Sequence, residues 1–320
     1  MSTAKAVKAA KSPNGLSFGK RLLRDLAKNR DLYILVIPVL LFYAIFHYGP
    51  MYGATIAFKE YKPALGIGGS PWVGFMHFRD FFSSYYFGRL LLNTVRISFV
   101  MLIFGFPAPI ILALLINEVK SRNFSRTIQT VTYMPHFISM VVVCGMIVQF
   151  CKDTGFITQM LSVFGVPAKN MLDNSSYFVP IYAISGIWQE IGWGSIIYLA
   201  ALAGIDQEQY EAAKIDGANR WKQTIHVTIP GILPQIIILF ILRMGSALNV
   251  GYEKIILLYN PLTYEVADVI STFVYRKGLL EFGWSYSSAV GLFNSVVNLL
   301  FLIGANYISK RASSDDVSLF

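Results

Sequence analysis

Six long apolar runs, parted by polar stretches, set the pattern of this chain: Tyr33–Ile56, Leu91–Ile116, Val131–Phe150, Tyr177–Ala203, Gly231–Gly251 and Tyr286–Ile308. Each has about the 20 residues that a helix rising 1.5 Å per residue needs to cross roughly 30 Å of hydrocarbon. None shows the alternation and the ~10-residue length of a barrel strand. The pattern predicts an all-α integral membrane protein with six transmembrane helices. A polar stretch of about 30 residues precedes the first run, without a short apolar core leading into a small-residue cleavage site. That run is therefore expected to be a span rather than a secretory signal.

Composition agrees: 55% of the residues are hydrophobic and 14% charged, with a mean hydropathy of +0.53. Lys and Arg in the loops set the expected orientation. Lys5, Lys8, Lys11, Lys20, Arg21, Arg24, Lys28 and Arg30 precede the first span and place the N-terminus in the cytoplasm. With the loops alternating from there, sixteen of the 27 basic residues fall inside and nine outside, with Arg96 and Arg243 in spans. Both termini are then cytoplasmic, in a cell membrane. The net charge of +9 needs no nucleic-acid partner. In the basic tail, residues 1–30, Phe18, Leu22 and Leu26 share a helical face that could lie on membrane lipid, with Ser17 as cap; a merely solvated tail is the plain alternative. The transmembrane domain is expected over residues 31–311, with a core at about 91–308 and the first span as an accessory helix. Residues 312–320 form a short tail.

Catalytic chemistry is hard to find. Cys144 and Cys151 lie two helical turns apart, too far for a disulfide within one helix. His47, His77, His136 and His226 are scattered, without metal-ligand spacing or a nucleophile to activate. Gly15 to Arg21 resembles a phosphate-binding loop but is one residue short, and it places Arg21 where Ser or Thr must meet magnesium. No metal, cofactor or ATP site is expected on this chain.

The most specific pattern lies between the fourth and fifth runs. Glu211, Ala212 and Ala213 are followed by Gly217 three residues on, and nine residues later by Val227, Thr228, Ile229 and Pro230. Asp206 to Ile215 holds good helix formers with an acidic first turn, Gly217 allows a sharp bend, and a second short helix from Asn219 to Thr228 should stop before Pro230. The result is a helical elbow with a small-residue knuckle, at residues 206–230. The spacing resembles the EAA signature of ABC-importer permeases. Other stretches resemble the LplB-type oligosaccharide permeases related to maltose-type sugar permeases: Ala57–Tyr61 (AFKEY), Gly69–Gly74 (GSPWVG), Tyr133–Ser139 (YMPHFIS) and Trp188–Asp206. The likeness runs from about Asp31 to Arg311.

The resemblance implies a type I importer permease core and a complex with a second, different permease subunit, two cytosolic ATPase subunits carrying ATP and magnesium, and an extracytoplasmic sugar-binding protein. It implies complex oligosaccharides as cargo. It also implies that Glu211, Ala212, Ala213, Asp216, Gly217 and Pro230 belong to the element that couples ATP hydrolysis to movement of the spans.

Within the spans, Glu190 and Arg243 both fall near mid-run, where a charge costs at least about 2.5–3.5 kcal/mol and usually faces a cavity or a partner. Trp188, Gln189 and Trp193 beside Glu190 offer the flat apolar and hydrogen-bonding surface that a sugar ring needs. Ser287, Gly291, Asn294 and Asn298 make a small and polar stripe in the last run. A transport path is one reading; a Glu190–Arg243 ion pair and helix packing by the stripe are the alternatives. Outside, the aromatic segment Phe58–Phe87 and the segment Asn260–Trp284 could receive a binding protein or only shield helix ends. A different class of function, an ion-gradient-driven transporter with Glu190 as proton site, lacks any inverted repeat in its favour.

Overall fold

The structure is a computed structural model that describes Gly19, Asp25 and residues 28–312. The interfacial helix expected around Ser17, Phe18, Leu22 and Leu26 lies outside the described residues, as does the tail beyond Ala312. Contacts divide the chain into two compact units that meet between Thr55 and Ile56. In the first unit begins α1, the helical run Arg30–Phe58, whose most apolar stretch is not buried at all. A helix this apolar has the character of a membrane span.

In the second unit α2 spans Phe87–Asn117, α3 Arg122–Tyr133, α4 Met140–Cys151, α5 Ser175–Ala203 and α6 Gln207–Ile215. Then come α7, Arg220–Met244, the short α8, Tyr252–Leu258, and α9, Ile270–Tyr275, and finally α10, Trp284–Ala312. Among the described residues, five helical runs are long and apolar enough to cross a membrane. Helix α5 has the length, 29 residues, but Ser185, Gln189, Glu190 and Ser195 dilute its apolar character.

Two spans depart from the apolar runs. The third is Met140–Ser162, not Val131–Phe150. Pro135 cannot donate the next backbone hydrogen bond, so α3 gives way to a tight turn at Met134–Phe137, after which Ile138 is extended. Ser139 then caps α4 by accepting from the Val142 amide at 3.5 Å. The fifth span is Arg220–Met244, not Gly231–Gly251, because Pro230 does not end the elbow's second helix. The turns at Thr224–Thr228 widen to π register immediately before it, shifting the carbonyls that an α-helical proline ring would strike. The chain therefore passes from elbow into membrane as one helix.

Helix α5 lies at the centre of the second unit, packed on α2, α3 and α7. Its approach to the α3 end is backbone to backbone: a Cβ on Gly192 would lie 2.0 Å from the Thr132 carbonyl oxygen. The core at one end gathers Phe178, Tyr182, Cys144, Cys151 and Ile255. At the elbow end it gathers Ala113, Tyr198, Leu202, Ile205 and Ile232. Between α2 and α9 sits Asp268, 1% exposed. It accepts from Arg276 at 2.7 Å and from the Thr272 hydroxyl at 2.7 Å, with Arg89 at 3.6 Å.

Candidate functional site

The elbow is built from end-caps. Asp206 Oδ1 accepts from the Glu208 amide at 3.0 Å and starts α6. At the other end Ala218 N–H donates to the Ala213 carbonyl at 2.8 Å, and Gly217 N–H to Lys214 at 3.1 Å. This is the paired closure of a helix on a left-handed residue, and Gly217 has φ of 75°. Asn219 Oδ1 then accepts from the Lys222 amide at 2.9 Å and starts α7. Three contacts hold the elbow to the spans. Tyr210 hydroxyl meets Thr228 Oγ1 at 3.0 Å, Ile205 fills the space over Gly231, where a Cβ would come within 2.9 Å, and Arg220 reaches Glu118 at 3.5 Å. Glu211, Ala212, Asp216 and Gly217 are exposed and Ala213 is half-buried. Ile215 and Trp221, 87% and 71% exposed, add apolar surface at the tip.

A second constellation is a polar cavity of about 330 Å³ among α2, α5, the end of α7 and α8. Gln189, Glu190, Arg243 and Lys254 line it, together with Tyr182, Asn249 and Tyr252. Glu190 does not pair with Arg243. Its Oε2 lies 3.0 Å from His136 Nδ1, because the turn at Pro135 swings His136 towards α5. The His136 ring lies flat on Trp193, centroids 4.4 Å apart. Gln189 is buried, and its amide donates to the Ile138 carbonyl at 3.3 Å. Arg243 sits in the last turn of α7 rather than at mid-span. Lys254 is 4% exposed; its ammonium donates to the Tyr182 carbonyl at 3.0 Å and lies 4.9 Å from the Tyr182 ring centre.

Trp188 points elsewhere, into an apolar cavity of about 420 Å³ shared with Phe150, Ile184 and Met171. Two residues of helix separate it from Glu190 by more than half a turn. Asn298 is buried and is used in packing: it accepts from the Leu248 amide at 2.9 Å and donates to Asn249 at 2.9 Å. Asn294 donates to the same Asn249 oxygen at 2.9 Å, yet it also lines a third, larger cavity.

That cavity, of about 730 Å³, is walled by Tyr61, Tyr252, Tyr275 and Trp284, with Ser271, Ser287, Ser288, Gly291 and Asn294. Tyr252 belongs to both it and the polar cavity. Sequence reasoning missed His136, Lys254, Asn249 and Tyr252. His136 lay in view within YMPHFIS, but its partner is 54 residues away, and nothing local joins them.

A family model for the inner membrane component of binding-protein-dependent transport systems matches residues 105–314. Protein LplB of Bacillus subtilis (strain 168) is 48% identical over 299 residues, 92% of this chain and 94% of the relative. The permease YteP of the same organism is 42% identical, covering 93% of each chain. Among solved structures, a chain of a bacterial alginate ABC transporter superposes with a TM-score of 0.85 at 44% identity, covering 92% of this chain and 100% of that one. The gradient-driven alternative finds no support among these. A family match from the middle of α2 to the end of α10, with near full-length likeness to relatives and solved structures alike, places the chain among the inner-membrane permease components of binding-protein-dependent ABC importers, transporter subunits whose ATPase resides on a separate subunit.

Proposed function

We propose that this subunit forms half of the translocation path for complex oligosaccharides, received from an extracytoplasmic binding protein and moved at the expense of ATP hydrolysed by two cytosolic ATPase subunits. A second, different permease subunit supplies the other half. The carrying observation is that the aromatic cavity and the polar cavity share Tyr252 and are joined through the Asn249–Asn294 hydrogen bond. Flat ring faces alternating with hydroxyls and amides suit a pyranose chain, which presents apolar ring faces and hydroxyl edges. Relatives point the same way: YteP is a polygalacturonan/rhamnogalacturonan transport permease, and AraP, 24% identical, is an arabinooligosaccharide permease. A neighbouring solved structure is an alginate transporter complexed with a periplasmic protein carrying an alginate pentasaccharide.

In this reading the α6–α7 elbow faces the cytoplasm, both termini lie on that side, and the exposed Ile215 and Trp221 beside Glu211–Ala213 enter a groove on an ATPase subunit. An exposed tryptophan such as Trp221 is among the side chains that dominate docking energies. Pro230 lies within the helix that joins elbow and span, its ring accommodated by the π turn before it. The test is ATP-dependent uptake of labelled oligosaccharides by the complete importer in proteoliposomes, with the binding protein on the outer face. Uptake that proceeds without ATP, or that no oligosaccharide supports, would overturn the reading.

A further inference from the structure

Two cations in the polar cavity lack an anion. Among the described residues, no carboxylate lies within 4.0 Å of the Lys254 ammonium or of the Arg243 guanidinium. Of three N–H donors, Lys254 commits one to the Tyr182 carbonyl and rests against the face of that ring. Both partners are neutral. A buried ammonium so placed is costly, and burial of a charge without its counter-ion usually marks a binding function rather than a stabilising one. Space is kept for it: Gly186 on α5 faces the ammonium, and a Cβ there would come within 3.3 Å of Nζ. Neither acid that lines the same cavity forms an ion pair with them: Glu190 acts on Lys254 only from beyond 4.0 Å and is hydrogen-bonded to His136, and Glu253 is exposed.

We propose that Lys254 and Arg243 bind a carboxylate of the cargo, so that the oligosaccharides carried here are acidic, built from uronic acid units. A planar carboxylate accepts from a guanidinium in two parallel bonds and from an ammonium as a point charge. The cavity presents both donors at the step from the aromatic cavity inward. This inference rests on the oligosaccharide reading above and narrows it.

The experiment uses the complete importer in proteoliposomes and three probes: an oligogalacturonate of three to five units, its methyl ester, and a neutral arabino-oligosaccharide. The expected result is ATP-dependent uptake of oligogalacturonate by the wild type, reduced at least about tenfold in Lys254→Met. Lys254→Arg should recover much of it, and any neutral uptake should change less than twofold. Arg243→Gln should repeat the selective loss, and it carries the comparison if Lys254→Met fails to co-purify with the other subunits. Wild-type uptake of a neutral probe without the acidic one would overturn the inference and leave the oligosaccharide reading standing. So would acidic uptake within twofold of wild type in both variants, or equal loss of acidic and neutral uptake. Failure of all three probes would strike the oligosaccharide reading itself.

Discussion

The imidazole of His136 lies on the indole of Trp193 with ring planes 2° apart, while its Nδ1 lies 3.0 Å from Glu190. Stacking fixes the plane of the imidazole and the carboxylate fixes its rotation, so one indole orients a polar pair at the centre of α5. Removing the indole leaves that pair free to turn. Trp193→Ala is expected to lower transport about two- to tenfold, the range of a lost aromatic stack, with the complex still co-purifying. Trp193→Phe should recover part of the rate; uptake assays on both variants decide whether the ring or merely its bulk matters.

Gly217 holds a left-handed conformation, and nothing lies within 4 Å of a Cβ built there. The obstacle to a side chain is therefore strain, about 1–2 kcal/mol for most residues and much less for asparagine. Gly217→Val should shift the elbow and abolish most substrate-stimulated ATPase activity of the assembled importer, whereas Gly217→Asn should keep more than half. Equal activity in the two variants would show that the bend is irrelevant to coupling.

At Gly192 the obstacle is space rather than strain. An alanine methyl would lie 2.0 Å from the Thr132 oxygen and 2.3 Å from its carbon, both backbone atoms that cannot swing aside. Overpacking of this kind costs about 1–3 kcal/mol. Gly192→Ala is expected to lower the melting temperature of the detergent-purified complex by roughly 2–10 °C, read by differential scanning fluorimetry. Gly145→Ala, with open space around it, is the control that should not move.

Asp268 anchors Arg276, Thr272 and Arg89 from a site sealed from solvent. Asp268→Asn keeps the shape and removes the charge, leaving two arginines without their anion. Breaking a buried pair from one side costs about 3–5 kcal/mol, so the variant should be recovered in the membrane at a small fraction of wild-type yield. Quantitative immunoblotting of membrane fractions tests this.

Much of the architecture was legible because burial in a bilayer requires long apolar runs, and those runs marked α1, α2, α5 and α10 to within a few residues. Where proline intervened, the reading split two ways for a physical reason. Pro135 breaks its helix and Pro230 does not, and the difference lies in a π turn at Thr224–Thr228 that the sequence pattern does not announce. Polar residues on α5 were found from their cost in hydrocarbon, but their partners were not. His136 reaches Glu190 only after the Pro135 turn folds back, and Lys254 lies beyond the apolar run Gly231–Gly251, so hydropathy does not mark its burial. Spacing along one helix separates Trp188 from Glu190 in angle, a difference legible in the sequence itself.

Because α7 runs unbroken from Arg220 at the elbow to Arg243 at the cavity wall, the two ends share one stiff rod of about 35 Å at 1.5 Å per residue. A tilt of about 5° imposed at the elbow then sweeps the guanidinium through roughly 3 Å, about the difference between a hydrogen bond made and one lost. In the proposed coupling, a small stroke at the elbow becomes the release of a contact at the cavity wall. The wide turn at Thr224–Thr228 and the interior Pro234 are two places along the rod where part of that stroke can be absorbed, and their stiffness sets how much arrives.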